Sequence, residues 1–276
     1  MTPFRTLKLG ALVAALGTVN LAGPMAAAQV HVTAARADLA DLVLASTTVV
    51  RARVTKAKEI KAERAPGLSP GYRRFLVDAE VEGVLAAPGG VPGEIRYLAD
   101  LPETERGRAP SVRGADVLLF LGPEQRPGEY ALAHRKGQQA WSSETESIAK
   151  RFLAERSTST LPTGTLEVTG AFHVPGTVPG ESESQIFVRG ADGLPASLVV
   201  LRRPGQDPRV VIATGDVIDP GAPSPDPQAL TTLLFACGLP AALPEDAAQG
   251  DHAAVVSDFA AAKDALGGCE RRFTDS

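Results

Sequence analysis

The run Val117-Leu118-Leu119-Phe120-Leu121, closed by Gly122-Pro123, limits the possible folds more than any other stretch. Five apolar residues ending at a breaker pair are too few for an ordinary helix and match a strand buried on both faces. The flanking sequence supplies partners for such a strand. Thr48 to Thr55 alternates Val50, Ala52 and Val54 with Arg51 and Arg53. Tyr72 to Leu85 alternates Phe75, Val77, Ala79 and Val81 with Arg74, Asp78, Glu80 and Glu82. Glu94 to Asp100 repeats the pattern with Ile95, Tyr97 and Ala99, and Tyr130 to Ala133 adds a short fifth strand. A helix is predicted over Arg36 to Ala45, with Asp38 and Asp41 favouring its positive end. A capping box of Ser143 and Glu146 predicts a second helix carrying Ile148, Ala149, Phe152 and Leu153 on one face. Five short strands bracketed by helices point to a small closed or nearly closed barrel.

Arg5 and Lys8 precede an uncharged run from Leu9 to Gly23, and Pro24-Met25-Ala26-Ala27-Ala28 has the small residues that signal peptidase reads. Residues 1–28 are therefore expected to be a signal peptide cleaved before Gln29, delivering the protein to a bacterial periplasm or the medium. The uncharged run of about 15 residues is shorter than the roughly 20 that a membrane span needs. The two cysteines, Cys237 and Cys269, are expected to form one disulfide in such an oxidising space.

Charge divides the remaining chain. From Gln29 to Thr160 there are 19 basic and 17 acidic residues, and from Leu161 to Ser276 there are 7 and 15, giving +2 and −8. Glu155 to Gly164 is rich in Ser, Thr, Pro and Gly, so residues 29–155 are read as a barrel domain, 156–164 as a linker and 165–276 as a second domain. In that second part, Thr165 to Val174, Ile186 to Arg189, Ala196 to Arg202 and Arg209 to Ala213 are expected to form an antiparallel meander. Asp226-Pro227 should start a helix that ends at Gly238, and Asp251 to Leu266 should form another, with Val255, Phe259, Ala262 and Leu266 inward. The expected fold class is mainly β with peripheral helices (α+β), in which a disulfide links the last two helices.

The order of elements from Leu39 to Ala133, with the Gly114 to Leu121 motif, resembles the barrels of netrin-like and metalloproteinase-inhibitor-like modules. That resemblance implies an OB-type five-stranded barrel. The inhibitors of that family use a Cys-x-Cys at the mature N-terminus, and this region contains no cysteine, so their mechanism is not carried over. The whole chain also resembles exported bacterial proteins of the same two-part layout, a likeness that brings no activity with it.

No spacing in the chain forms a metal or catalytic signature. His31, His134, His173 and His252 are scattered, and there is no Gly-x-Ser-x-Gly, phosphate loop, dinucleotide fingerprint or calcium loop. No cofactor, metal ligand or catalytic residue is assigned. Two binding candidates remain. Lys56, Lys58, Lys61, Arg64, Arg73 and Arg74 surround the first barrel loop, where an anionic polymer could bind, although nucleic acid would need more stacking partners than Tyr72. Glu181 and Glu183 lie in an acidic stretch, Pro175 to Ser184, expected to be a loop that could meet a cation or a basic envelope protein. The leading expectation is an exported, non-catalytic binding or accessory protein of the cell envelope. Two alternatives stand beside it: an envelope hydrolase with His173 as its base, and a protease inhibitor implied by the barrel resemblance.

Overall fold

Every alternating run in the first half becomes a strand, and most extend beyond the alternation that signals them. The computed structural model describes residues 34–214 and 221–273, so the expected signal peptide, residues 1–28, and His31 lie outside the described residues. The chain begins with helix Arg36–Ala45 (α1) and strands Thr48–Glu59 (β1), Tyr72–Ala86 (β2), Glu94–Pro102 (β3), Asp116–Arg126 (β4), Glu129–Leu132 (β5) and Gln138–Ala140 (β6). Helix Ser143–Thr158 (α2) leads to strands Glu167–Pro175 (β7), Ser182–Arg189 (β8), Pro195–Arg202 (β9) and Arg209–Ala213 (β10). Helix Leu230–Gly238 (α3), the two-residue strand Ala248–Gln249 (β11) and helix His252–Leu266 (α4) complete the described chain.

The first sheet closes on itself in the order β1-β2-β3-β5-β4, with β4 returning to β1, and β6 adds to β4. This is the OB-like five-stranded barrel. Its pairs are antiparallel except β3 with β5, which run parallel through Arg96↔Glu129 and Tyr97↔Tyr130. Closure pairs β4 with β1 over Thr48–Arg53, which removes the free edge there. The alternation now has a physical meaning: Val50, Ala52, Val77, Ala79, Ile95, Tyr97, Val117, Leu119 and Leu121 fill the barrel. Tyr97 is buried there and donates its hydroxyl to Gln138 Oε1 at 2.9 Å; burial pushes the phenol pKa far above its ordinary value.

The central strand is buried on both sides, as its composition requires. Leu118 and Phe120 point out of the barrel into a second cluster with Leu39, Leu42 and Val43 of α1, Phe152 of α2 and Leu230 and Leu234 of α3. Asp116 opens β4 at its wet end, 3.0 Å from Arg53.

The second sheet has the order β10-β9-β8-β7-β11, an antiparallel meander extended by the parallel pairing of β11 with β7. One face packs on α4, whose Val255, Phe259, Ala262 and Leu266 meet Ile186, Val188, Leu198 and Val200. Phe235 of α3 joins this cluster, so α3 divides its apolar surface between the barrel side and the second sheet. Cys237 in α3 is bonded to Cys269, three residues beyond α4, with a Cα–Cα distance of 4.9 Å.

Several local expectations shift. The α2 cap is Ser142, not Ser143: its Oγ accepts the Thr145 N–H at 3.1 Å, and Glu146 is held instead by Trp141 Nε1 and Lys150. Asp226 closes a turn, accepting from the N–H groups of Gln228 and Ala229, and the helix starts only at Leu230. Helix α2 continues to Thr158 and Leu161 is buried, so part of the 156–164 stretch is structured. The acidic stretch is shorter as a loop, because β7 runs to Pro175 and β8 starts at Ser182, which puts Glu183 on a strand.

Candidate functional site

The barrel places the six basic candidates together around one hairpin but does not leave them equally available. Arg73 is clamped between Glu59 at 2.8 Å and Glu103 at 2.9 Å, and these two hydrogen bonds hold its guanidinium pKa above the ordinary value. Arg74 grips Asp100 through Nε and a second guanidinium nitrogen at 2.6 and 2.7 Å, a bidentate pair across β2 and β3. Lys56, Lys58, Lys61 and Arg64 are exposed, or nearly so, and make no ion pair among the described residues. Lys56 and Lys58 face outward from β1 because the irregularity after Val54 resets the alternation around Thr55. The outer face of β2 and β3 carries Leu76 opposite Leu98, with Arg74–Asp100 on one side and Arg96–Asp78 on the other. Its charges satisfy one another.

His173 does meet a serine and an aspartate, in an order that sequence spacing does not reveal. The three side chains come from β7, β8 and α4. Ser184 Oγ lies 2.5 Å from Asp258 Oδ2, and His173 Nδ1 lies 2.9 Å from the same Oγ. A carboxylate only accepts, so the serine proton is directed to Asp258 and His173 donates from Nδ1 to the oxygen. Such a serine is not activated by the imidazole, which would have to accept that proton. Ser184 is also completely buried and Asp258 is 1% exposed. Arg202 Nε completes the network by donating to Asp258 Oδ1. The arrangement fastens α4 to the sheet and neutralises a buried carboxylate.

The opposite face of this sheet is different. Glu183, Gln185, Phe187 and Arg189 point outward from β8, away from buried Ser184, Ile186 and Val188. Their neighbours on β7 are Val174, Phe172 and Gly170, and on β9 they are Leu201, Val199 and Ser197. Val199 is buried, but Val174 and Phe187 are 51% and 38% exposed, and the Phe172 and Phe187 rings stand 5.7 Å apart. At the hairpin end the surface dips into a recess of about 370 Å³, with Phe172, Val174, Gln185 and Leu201 in its lining. Glu181 and Glu183 line it together with Arg202 and Arg203. Gln185 donates to Glu183 Oε1 at 2.7 Å, while Glu181, Glu183 and Arg203 make no ion pair among the described residues. Glu181 and Glu183, suggested by the sequence as an acidic loop, therefore belong to a mixed-charge recess with apolar side chains in its lining.

Sequence reading missed Phe172, Val174, Leu201 and Arg203. The signal was present in β7, where apolar residues occupy both parities: Val168 and Ala171 inward, Phe172 and Val174 outward. A strand in a meander with one solvated face should not do this without a reason. Among the described residues no group of three or more His, Cys, Asp or Glu side chains is placed to hold a metal ion. No protein-family model matches the chain, and no curated protein matches it in sequence.

Proposed function

We propose that the protein is an exported, non-catalytic binding or accessory protein of a bacterial cell envelope, which holds its ligand on the outer face of β7–β9. The observation that carries this reading is the recess: exposed and half-buried apolar side chains beside Glu181, Glu183 and Arg203, which make no ion pair among the described residues. Sites for ligands combine apolar walls with a few unsatisfied polar groups in this way. The chemistry-bearing cluster on the other face supports the same conclusion, because its serine is buried and its proton is committed to Asp258. Export rests on the leader-like sequence of residues 1–28, and the Cys237–Cys269 bridge suits an oxidising compartment. Among the described residues no helix is long and apolar enough to cross a membrane.

The test is to purify the protein natively from its own envelope and identify by mass spectrometry whatever is released on denaturation. Wild type and the barrel-face variant Leu98→Asp should release the same ligand, and Phe172→Asp should release none. Equal release from wild type and both variants would remove the recess as the binding surface. Turnover by the purified protein that is lost on replacing His173 would overturn the non-catalytic reading.

A further inference from the structure

The recess carries two opposite charges placed where they do not neutralise each other. Glu183 lies on β8 directly opposite Leu201 of β9, and Arg203 begins the turn just past the last residue of β9, Arg202; both line the recess. The two form no ion pair among the described residues, and Gln185 donates to the Glu183 carboxylate. Arg202 is already committed to Asp258, which leaves Arg203 as the available cation at this wall. Glu181 adds a second carboxylate at the hairpin end. Phe172 and Val174 of β7 and Leu201 of β9 flank Glu183 and Gln185 of β8, the two outer strands standing about 10 Å apart at the usual strand spacing.

We propose that this recess binds a small zwitterion with an apolar side chain, an apolar amino acid or dipeptide with both ends free. The ammonium group sits against Glu183 and Glu181, the carboxylate against Arg203, and the side chain covers Phe172, Val174 and Leu201. A cation without a carboxylate leaves Arg203 unmatched, and an anion without an ammonium meets two carboxylates. An uncharged apolar molecule gains only the apolar contacts. The recess volume of about 370 Å³ is at the lower end for small-molecule sites and excludes nothing as small as a dipeptide.

This proposal rests on the binding reading above, and the experiment separates the two. The full exported protein is titrated with leucine and with Leu-Leu, and backbone amide shifts are followed by NMR. Saturable shifts are expected at Gln185 and Leu201 and not at Leu98 of the barrel. N-acetylation or C-amidation of the dipeptide should each weaken binding about tenfold or more, the loss expected for one charged hydrogen bond. Glu183→Gln should reproduce the effect of acetylation and Arg203→Ala that of amidation, and Arg203 is exposed enough for its removal to leave folding intact. Capped and uncapped dipeptides binding alike would overturn the zwitterion. Absence of any saturable shift would overturn it too, and if the native protein still releases a ligand that Phe172→Asp lacks, the binding reading stands without it.

Discussion

Two sheet faces in this molecule share a layout and differ in how their charges are settled. On the barrel, Leu76 and Leu98 lie between Arg74–Asp100 and Arg96–Asp78, so each guanidinium has a carboxylate across the strand and the apolar pair is fenced on both sides. On the second sheet, Phe172, Val174 and Phe187 lie beside Glu183 and Arg203, which have no such partners among the described residues. The charges of the first face pair with one another, and the proposed ligand would pair with those of the second. The second sheet also keeps its strongest ion pairing on the hidden side, where Asp258 gathers Arg202, Ser184 and His173. Exposure of apolar residues alone does not mark a site, since Leu98 is 47% exposed. The proposed site differs in the unpaired charge beside its apolar residues.

The largest effect should come from the buried side of the second sheet. Asp258→Ala leaves Arg202 and Ser184 without their acceptor and should destabilise the fold by roughly 3–5 kcal/mol in chemical denaturation. A loss no larger than that of a surface pair would break the comparison. Removing the disulfide as Cys237→Ser with Cys269→Ser should cost roughly 3–4 kcal/mol, the loop entropy for its separation of 32 residues. Denaturant midpoints that do not change would show that α3 and the chain beyond α4 are held without it.

On the barrel, Arg74→Ala should cost about 1 kcal/mol or less, because the pair it breaks lies near the surface and water replaces the lost partner. The smallest effect concerns Glu146, whose carboxyl pKa is held below its ordinary value by the hydrogen bonds from Lys150 and then Trp141. A depressed acid stabilises the fold above its unfolded pKa and loses that contribution as pH falls through the folded value. Stability should therefore decline slightly more steeply in the acid range for wild type than for Glu146→Gln. Identical slopes would place the link between Trp141 and α2 outside the energetics.

How much of this could be read from residues alone follows the same division. The barrel was legible because its strands alternate cleanly, and β4 was legible because Val117 to Leu121 is apolar at both parities and is found buried on both faces. Helix α4 was legible from Asp251, which caps it through Ala254 N–H at 3.1 Å, and from its four inward residues. The α2 cap was misplaced by one residue because Ser142 and Ser143 are chemically alike, and it is the Thr145 N–H donating to Ser142 Oγ that tells them apart. Strands β6 and β11 have three and two residues, too few to show a period. The site was hardest to read. Glu181 and Glu183 were visible as charge, but Arg203 is brought to the same recess only because β8 pairs with β9, and Ser184 and Asp258 are 74 residues apart.

The contrast between the two faces can be measured directly by carbene labelling of side chains in a native envelope extract, compared with the purified protein. Phe172, Val174 and Phe187 should be protected in the extract, while Val84 and Leu98 on the barrel label equally in both samples. Protection confined to Val84 and Leu98, or equal labelling of all five residues in both samples, would contradict the claim that the second sheet's outer face is the binding surface.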